Sequence, residues 1–153
     1  PKNPTSFKRK INKMASRVNI AQNYAVKFIG LPYIWGGSHP SQGYDCSGLV
    51  QEILASVGFD PRGDQTAQTL HDILLNSCSE SLRSQVGSIL FFGSGIKNIT
   101  HVAFAIDDLH MLEAGGGGSS CVSVKDAIAH GAFVRVRPIA NRKDLVSCLL
   151  PKY

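Results

Sequence analysis

Cys46 is the side chain whose setting in this sequence favours covalent chemistry. It follows Asp45, a good helix-capping residue type, and opens the run Cys46-Ser47-Gly48-Leu49-Val50, so it is expected in the first turn of a helix. Unpaired N–H groups and the macrodipole at such a terminus favour a thiolate. The same N–H groups stabilise the oxyanion formed when a thiolate attacks an amide carbonyl. Gly48 is expected to leave room for a substrate to approach the backbone closely. A thiol used this way needs a base, and the histidines are His39, His71, His101, His110 and His130. His101 opens a β-rich run with Val102, Phe104 and Ile106 on one face, which would hold its imidazole at a fixed sheet position. His71 falls on a predicted helix, and His130 beside Gly131 reads as a turn residue. The competing account of Cys46 is a small buried apolar residue.

Other chemistries find less support. Cys46, Cys78, Cys121 and Cys148 lie far apart with no C-x-x-C pair, so a zinc cage is not expected. With Cys46 catalytic, at most one disulfide could form among the other three, and none is expected. His39 and Asp45 share a loop, but no H-E-x-x-H run accompanies them, which argues against a metallopeptidase.

The elements that must position these residues follow from periodicity. The chain has 153 residues, 43% hydrophobic and 18% charged, enough for one globular domain without staples. No apolar run approaches the ~20 residues of a membrane span, and no signal peptide is visible. The chain begins at Pro1, not Met, and is expected to be a processed product or a piece of something longer. Phe7, Ile11, Met14, Val18, Ala21, Ala25 and Phe28 recur at steps of three and four, predicting an amphipathic helix over about 6–29 that Gly30 and Pro32 end. Residues 33–45 are dense in Gly, Pro and Ser and read as an irregular loop. A second helix runs from Cys46 to about Gly58, with Leu49, Val50, Ile53, Leu54 and Val57 on one face. A third spans about Thr66–Asn76, with Ala67, Leu70, Ile73 and Leu74 inward. Beyond residue 85 the runs Ile89–Phe92, His101–Ile106, Met111–Ala114 and Phe133–Ile139 read as strands. Helices first and strands afterwards predict α+β with an antiparallel sheet.

Charge is unevenly placed. Of 16 basic residues, Lys2, Lys8, Arg9, Lys10, Lys13 and Arg17 lie in the first twenty positions with no acid, leaving ten basic against eleven acidic in the rest. The net charge of +5 therefore describes an N-terminal arm. Such an arm is expected either as a solvated helix face or as a dock for a larger assembly or an anionic wall polymer. No nucleic-acid module is recognisable, so no nucleic-acid partner is expected.

The run Tyr33-Ile34-Trp35-Gly36-Gly37, followed by Gly43-Tyr44-Asp45-Cys46-Ser47-Gly48-Leu49-Val50, resembles the Y-x-W-G-G…D-C-S-G-L-V motif of NlpC-type cysteine peptidases (the NlpC/p-sixty superfamily). Gly58…Pro61-Arg62 with Gln65 and Gln68 is similar to the segment that follows that family's nucleophile helix. Val86-Gly87-Ser88-Ile89-Leu90-Phe91-Phe92 resembles its G-D-L-L-F-F strand, with Ser88 where Asp is usual. Thr100-His101-Val102-Ala103-Phe104-Ala105-Ile106 resembles the strand bearing its catalytic histidine. The resemblance covers about residues 20–140. It implies a papain-like α+β domain over 20–153, in which N-terminal helices carrying the nucleophile pack on an antiparallel sheet. Residues 1–19, outside the resemblance, are expected to be a basic N-terminal arm or helix extension. It also implies a hydrolase of peptidoglycan stem peptides, cutting between γ-D-glutamate and the following diamino acid, with no metal and no cofactor.

In the roles the resemblance carries over, Cys46 attacks and His101 moves the proton. Family members usually place His, Asn or Gln twelve residues after that histidine; here the position is Glu113. His110 competes, but 110 and 113 have opposite parity in a strand and cannot both point at His101 without a bulge. Glu113 is preferred because a carboxylate accepts the imidazole N–H and stabilises the imidazolium. Tyr33, Asp45 and Ser47 match substrate-contact positions, and Tyr33 is also expected to donate to the oxyanion; an N-cap would by itself explain Asp45. Trp35 is expected in core or loop packing. Arg62 could reach a substrate carboxylate or be a surface residue. Gly115–Gly118 reads as a flexible connection. The ending Glu113-Ala114-Gly115-Gly116-Gly117 resembles phage-associated members, implying a wall-degrading part of a phage particle or a secreted enzyme. Two alternatives stand beside this reading: an amidase or acyltransferase on the same Cys–His scaffold, and a catalytically silent wall- or partner-binding module.

Overall fold

In the computed structural model, which describes residues 17–153, helices come first and the main sheet afterwards. The first helix, α1, is described over 17–25 and tightens into a 3-10 turn at Val26–Phe28. Its inward stripe is as the periodicity predicts: Ala21, Ala25 and Phe28 are buried and Val18 packs against them. Phe7, Ile11 and Met14, and the basic arm apart from Arg17, lie outside the described residues.

The loop expected at 33–45 is not wholly irregular. Two short strands, β1 (Ser38–His39) and β2 (Gly43–Tyr44), form an antiparallel hairpin, and Tyr33 bridges Tyr44 in parallel. Two-residue strands lie below what alternation can reveal. The Phe28 ring meets Tyr44 edge-on at 5.3 Å, so the hairpin is fastened to the end of the first helix.

Helix α2 (Cys46–Ala55) starts where the cap signal places it, and α3 (Ala67–Leu74) is capped by Thr66 in a capping box with Thr69. One inward assignment on α3 is corrected: Ile73 is 41% exposed, and His71 is fully buried in its stead. The imidazole lies within hydrogen-bonding distance of Ser147 Oγ, at 3.1 Å, and of Asp72, so burial leaves it satisfied.

The strands β3 (Cys78–Glu80), β4 (Ile89–Gly95), β5 (Asn98–Ala105), β6 (His110–Gly115), β7 (Phe133–Pro138) and β8 (Leu145–Pro151) form an antiparallel sheet in the order β3-β8-β4-β5-β6-β7. Helix α4 (Val124–His130) connects β6 to β7. The fold class is therefore as expected, with β3, β8 and α4 added. The sheet sorts its residues by parity. Val102, Phe104, Leu112 and Ala114 join α2 and α3 in the main core, whereas Ala103, Ala105 and Met111 form a smaller cluster with Leu90, Phe92 and Cys148. His101 sits inside β5 rather than at its start. Among the described residues no helix is long and apolar enough to cross a membrane.

Gly48 corrects another expectation. The space beside it is taken by the protein's own backbone: a Cβ there would overlap the Gly37 carbonyl oxygen and stand 3.2 Å from Ser38 Cα. Glycine to alanine within a helix ordinarily adds roughly 0.5–1 kcal/mol of stability. Here Gly48→Ala is expected to cost about 2 kcal/mol through overpacking, read as a lower urea midpoint. A raised midpoint would show that the hairpin does not press on the helix.

Candidate active site

The site begins with a cap. Asp45 Oδ1 accepts from the Gly48 N–H at 2.8 Å and from the Ser47 hydroxyl at 3.1 Å, while Oδ2 accepts from the Gly36 N–H at 3.1 Å. One carboxylate thus fixes the start of α2 and ties it to the Y-x-W-G-G segment. Burial raises the Asp45 pKa, against these three hydrogen bonds, which lower it. Cys46 follows as the first residue of α2 and is partly exposed, whereas Cys78, Cys121 and Cys148 are buried; all four are free thiols. With the Gly48 N–H engaged by Asp45, the donors this helix start offers an oxyanion are the N–H groups of Cys46 and Ser47.

Strands β5 and β6 bring the next pair together. Their register pairs Phe104 with Leu112 and Ala105 with Met111. Continued by one step, it sets Glu113 across from Ala103, two residues from His101 and of the same parity. The side chains meet: His101 Nε2 lies 2.7 Å from Glu113 Oε2. Both are well buried, with side-chain exposures of 13% and 3%. Burial pulls the imidazole pKa down, but hydrogen bonding and negative charge from Cys46 and Glu113 outweigh it and hold His101 at about 9. Burial would likewise raise Glu113; the hydrogen bond and charge of His101, helped by Arg137 and Arg142, keep it below the ordinary carboxylate range. With Nε2–H donating to Glu113, Nδ1 is the nitrogen free to serve the thiol. His110 turns elsewhere, its Nδ1 3.0 Å from Asp107 Oδ2 at the β5–β6 turn.

A cleft of about 410 Å³ opens beside the thiol. Tyr33, Asp45 and Ser47, the three expected contact residues, line it with Cys46, and Asp64, Thr66, Ile99 and Thr100 complete much of the wall. Tyr33 is itself buried, which together with the negative charge of Cys46 and Asp45 raises its pKa and keeps the phenol a proton donor. Its ring rests on the glycine run: a Cβ at Gly117 would overlap Tyr33 Cδ1 and stand 2.6 Å from Cys121 Cβ. Gly115–Gly118 is therefore part of the packing behind the cleft as well as a connection.

Three other assignments sort clearly. Trp35 lies in the loop before the hairpin, its backbone N–H bonded to the Cys121 carbonyl, and its side chain is 55% exposed on the cleft rim, so of the two expected places the core is excluded. Arg62 is exposed and does not line the cleft. Ser88, where the family's strand usually has Asp, is buried and accepts from the Gln85 N–H. Two contributors have no role assigned to them from the sequence, although Gln68 belongs to the family-like segment after the nucleophile helix. Gln68 bonds the Ile99 N–H and the Ile96 carbonyl, bracing the end of β5 that forms the cleft wall. Arg137 Nη1 donates to Glu113 Oε1 at 3.3 Å. Among the described residues, no group of three or more His, Cys, Asp or Glu side chains is placed to hold a metal ion.

Taken together, a partly exposed thiol at a capped helix start, an imidazole beside it and a carboxylate behind the imidazole can carry acyl transfer through a thioester. A family model described as the NlpC/P60 family matches residues 30–138. The bifunctional muramidase/DL-endopeptidase CwlT of Bacillus subtilis is 40% identical over 97 residues, which is 61% of this chain and 28% of that protein. The gamma-D-glutamyl-L-lysine dipeptidyl-peptidase of Bacillus cereus is 34% identical over 94 residues, 60% of this chain and 27% of that protein. Among solved structures, RipD of Mycobacterium tuberculosis, described as a non-catalytic NlpC/p60 domain protein adapted to peptidoglycan binding, matches with a TM-score of 0.63. It is 19% identical and covers 88% of this chain and 95% of that one. The chain spans little more than a quarter of the length of each of these two curated relatives.

Proposed function

The chain belongs to the NlpC/P60 family, and on that premise we propose that it is a cysteine endopeptidase hydrolysing peptidoglycan stem peptides at the bond between γ-D-glutamate and the following diamino acid. The observation that carries the reading is the His101–Glu113 pair at 2.7 Å, beside a thiol at the start of a capped helix. The names of the two curated relatives, a DL-endopeptidase and a gamma-D-glutamyl-L-lysine peptidase, support the choice of bond.

In this reading the Cys46 sulfur attacks the γ-glutamyl carbonyl carbon. The oxyanion is met by the Cys46 and Ser47 N–H groups and the Tyr33 hydroxyl. As the C–N bond breaks, the His101 imidazolium gives its proton to the departing amine and a thioester remains. Water, deprotonated by the now neutral His101, then attacks the thioester carbonyl; the C–S bond breaks, the γ-glutamyl fragment leaves as its carboxylate, and Cys46 departs as the thiolate beside the re-formed imidazolium. Glu113 holds the imidazole's orientation and balances its charge throughout. Asp45 and Ser47 bind polar groups of the stem peptide in the cleft. The reading places the protein at the cell wall, delivered by secretion or as part of a phage particle, with the basic arm docking on an anionic wall polymer or a larger assembly.

Digestion of purified muropeptides of defined stem composition, followed by mass analysis, tests the bond. The expected products are a fragment ending in γ-D-glutamate and one beginning with the free amine of the diamino acid, with the same yield in a strong chelator. Cleavage at an amide outside the stem peptide, or acyl transfer to an added amine in place of hydrolysis, would favour the amidase or acyltransferase alternative. Muropeptides bound but left intact would favour a role like that described for RipD.

A further inference from the structure

We infer that Arg137 is a positioning residue for the proposed reaction: its guanidinium holds Glu113 Oε1, and so aims Oε2 at His101. The inference rests on the reading of Cys46, His101 and Glu113 given above. Exposed ion pairs are worth little, and the Arg137 side chain is 39% exposed. Its partner is different, because the Glu113 side chain is only 3% exposed. A buried carboxylate that loses one of its two charged partners is left with an oxygen that water cannot reach.

The sheet register shows that this contact is selective. Strands β6 and β7 pair Glu113 directly with Arg135 and Met111 with Arg137. The cross-strand neighbour, Arg135, sends Nη1 to the Gly131 carbonyl oxygen. Arg142 is bound to Asp144 and lies 4.5 Å over the Phe92 ring, acting on Glu113 through charge alone. The diagonal neighbour, Arg137, makes the hydrogen bond. Glu113 is therefore held at both oxygens, by His101 on β5 and by Arg137 on β7. A carboxylate held at one oxygen can swing about its last torsion; held at two, it keeps the imidazole ring in place across the catalytic cycle.

A double-mutant cycle tests this. Arg137→Gln is expected to lower kcat roughly tenfold with KM little changed, and Arg137→Lys, which keeps the charge and one donor, is expected to recover part of the loss. Loss of the cation raises the Glu113 pKa, so the acid limb of the activity profile is expected to move to higher pH. In a Glu113→Gln background the further change at 137 is expected to have almost no effect on kcat. Equal effects of Arg137→Gln in both backgrounds, with an unmoved acid limb, would overturn the clamp. If the wild type cleaves nothing, the proposed function fails separately. Urea unfolding of the same four proteins at pH 7 still reads the clamp: the Arg137→Gln loss is expected to vanish in the Glu113→Gln background, and a loss of the same size in both overturns it.

Discussion

Cys46→Ala is expected to reduce stem-peptide hydrolysis by roughly a thousandfold or more while leaving muropeptide binding in place. The asymmetry follows from where the thiol sits. Cys46 lies at a helix start whose cap is made by Asp45, so removing the sulfur leaves the cap, the Gly36 and Gly48 contacts and the cleft wall unchanged. The same variant is expected to lose rapid alkylation by iodoacetamide, because Cys78, Cys121 and Cys148 are buried. Wild-type labelling that is no faster at Cys46 than at those three, or hydrolysis that persists in Cys46→Ala, would remove the thiol from the chemistry.

Glu113→Ala is the second large effect, expected to lower turnover roughly a hundredfold, whereas His110→Ala stays within about twofold of the wild type. His110 is engaged with Asp107 on the outside of a turn, but Glu113 lies behind the imidazole. The pH profile separates them further. His101 is held at about 9 in the folded protein against an ordinary 6.5, so the imidazolium's contribution to stability is complete below about pH 6.5 and is lost as pH rises through about 9. Removing Glu113 takes away one source of that shift. The alkaline limb of activity and the alkaline loss of stability are both expected to move towards neutral pH in Glu113→Ala and to stay put in His110→Ala. A larger loss in His110→Ala would reverse the assignment.

What the sequence disclosed divides along physical lines. Local chemistry was legible: the Asp45 cap, the apolar faces of α1 and α2 and the strand run around His101 each depend on neighbours a few residues away. The family resemblance added Glu113 by its spacing of twelve, which places it two residues short of Gly115, the position that the register continues to opposite His101. Features that depend on distant pairing were not legible. His71 replaces Ile73 in the interior because Ser147, on the unpredicted strand β8, offers its hydroxyl as a partner. Trp35 is exposed because Tyr33 and Tyr44, not Trp35, are the aromatics that the hairpin buries. Arg137 finds Glu113 only through the β6–β7 register, reached by way of α4, which no apolar period announced; Val124 and Ile128 on that helix are themselves exposed.

The contact between Gly117 and the Tyr33 ring has a consequence for how this chain can change over time. A methyl group at 117 would strike the phenol from behind and push its hydroxyl off its aim, and a smaller ring at 33 would leave an unfilled gap against the glycine. The two positions, 84 residues apart in the chain, therefore constrain one another sterically. A side chain at 117 would need both the Tyr33 ring and Cys121 to give way, or the loop to bend.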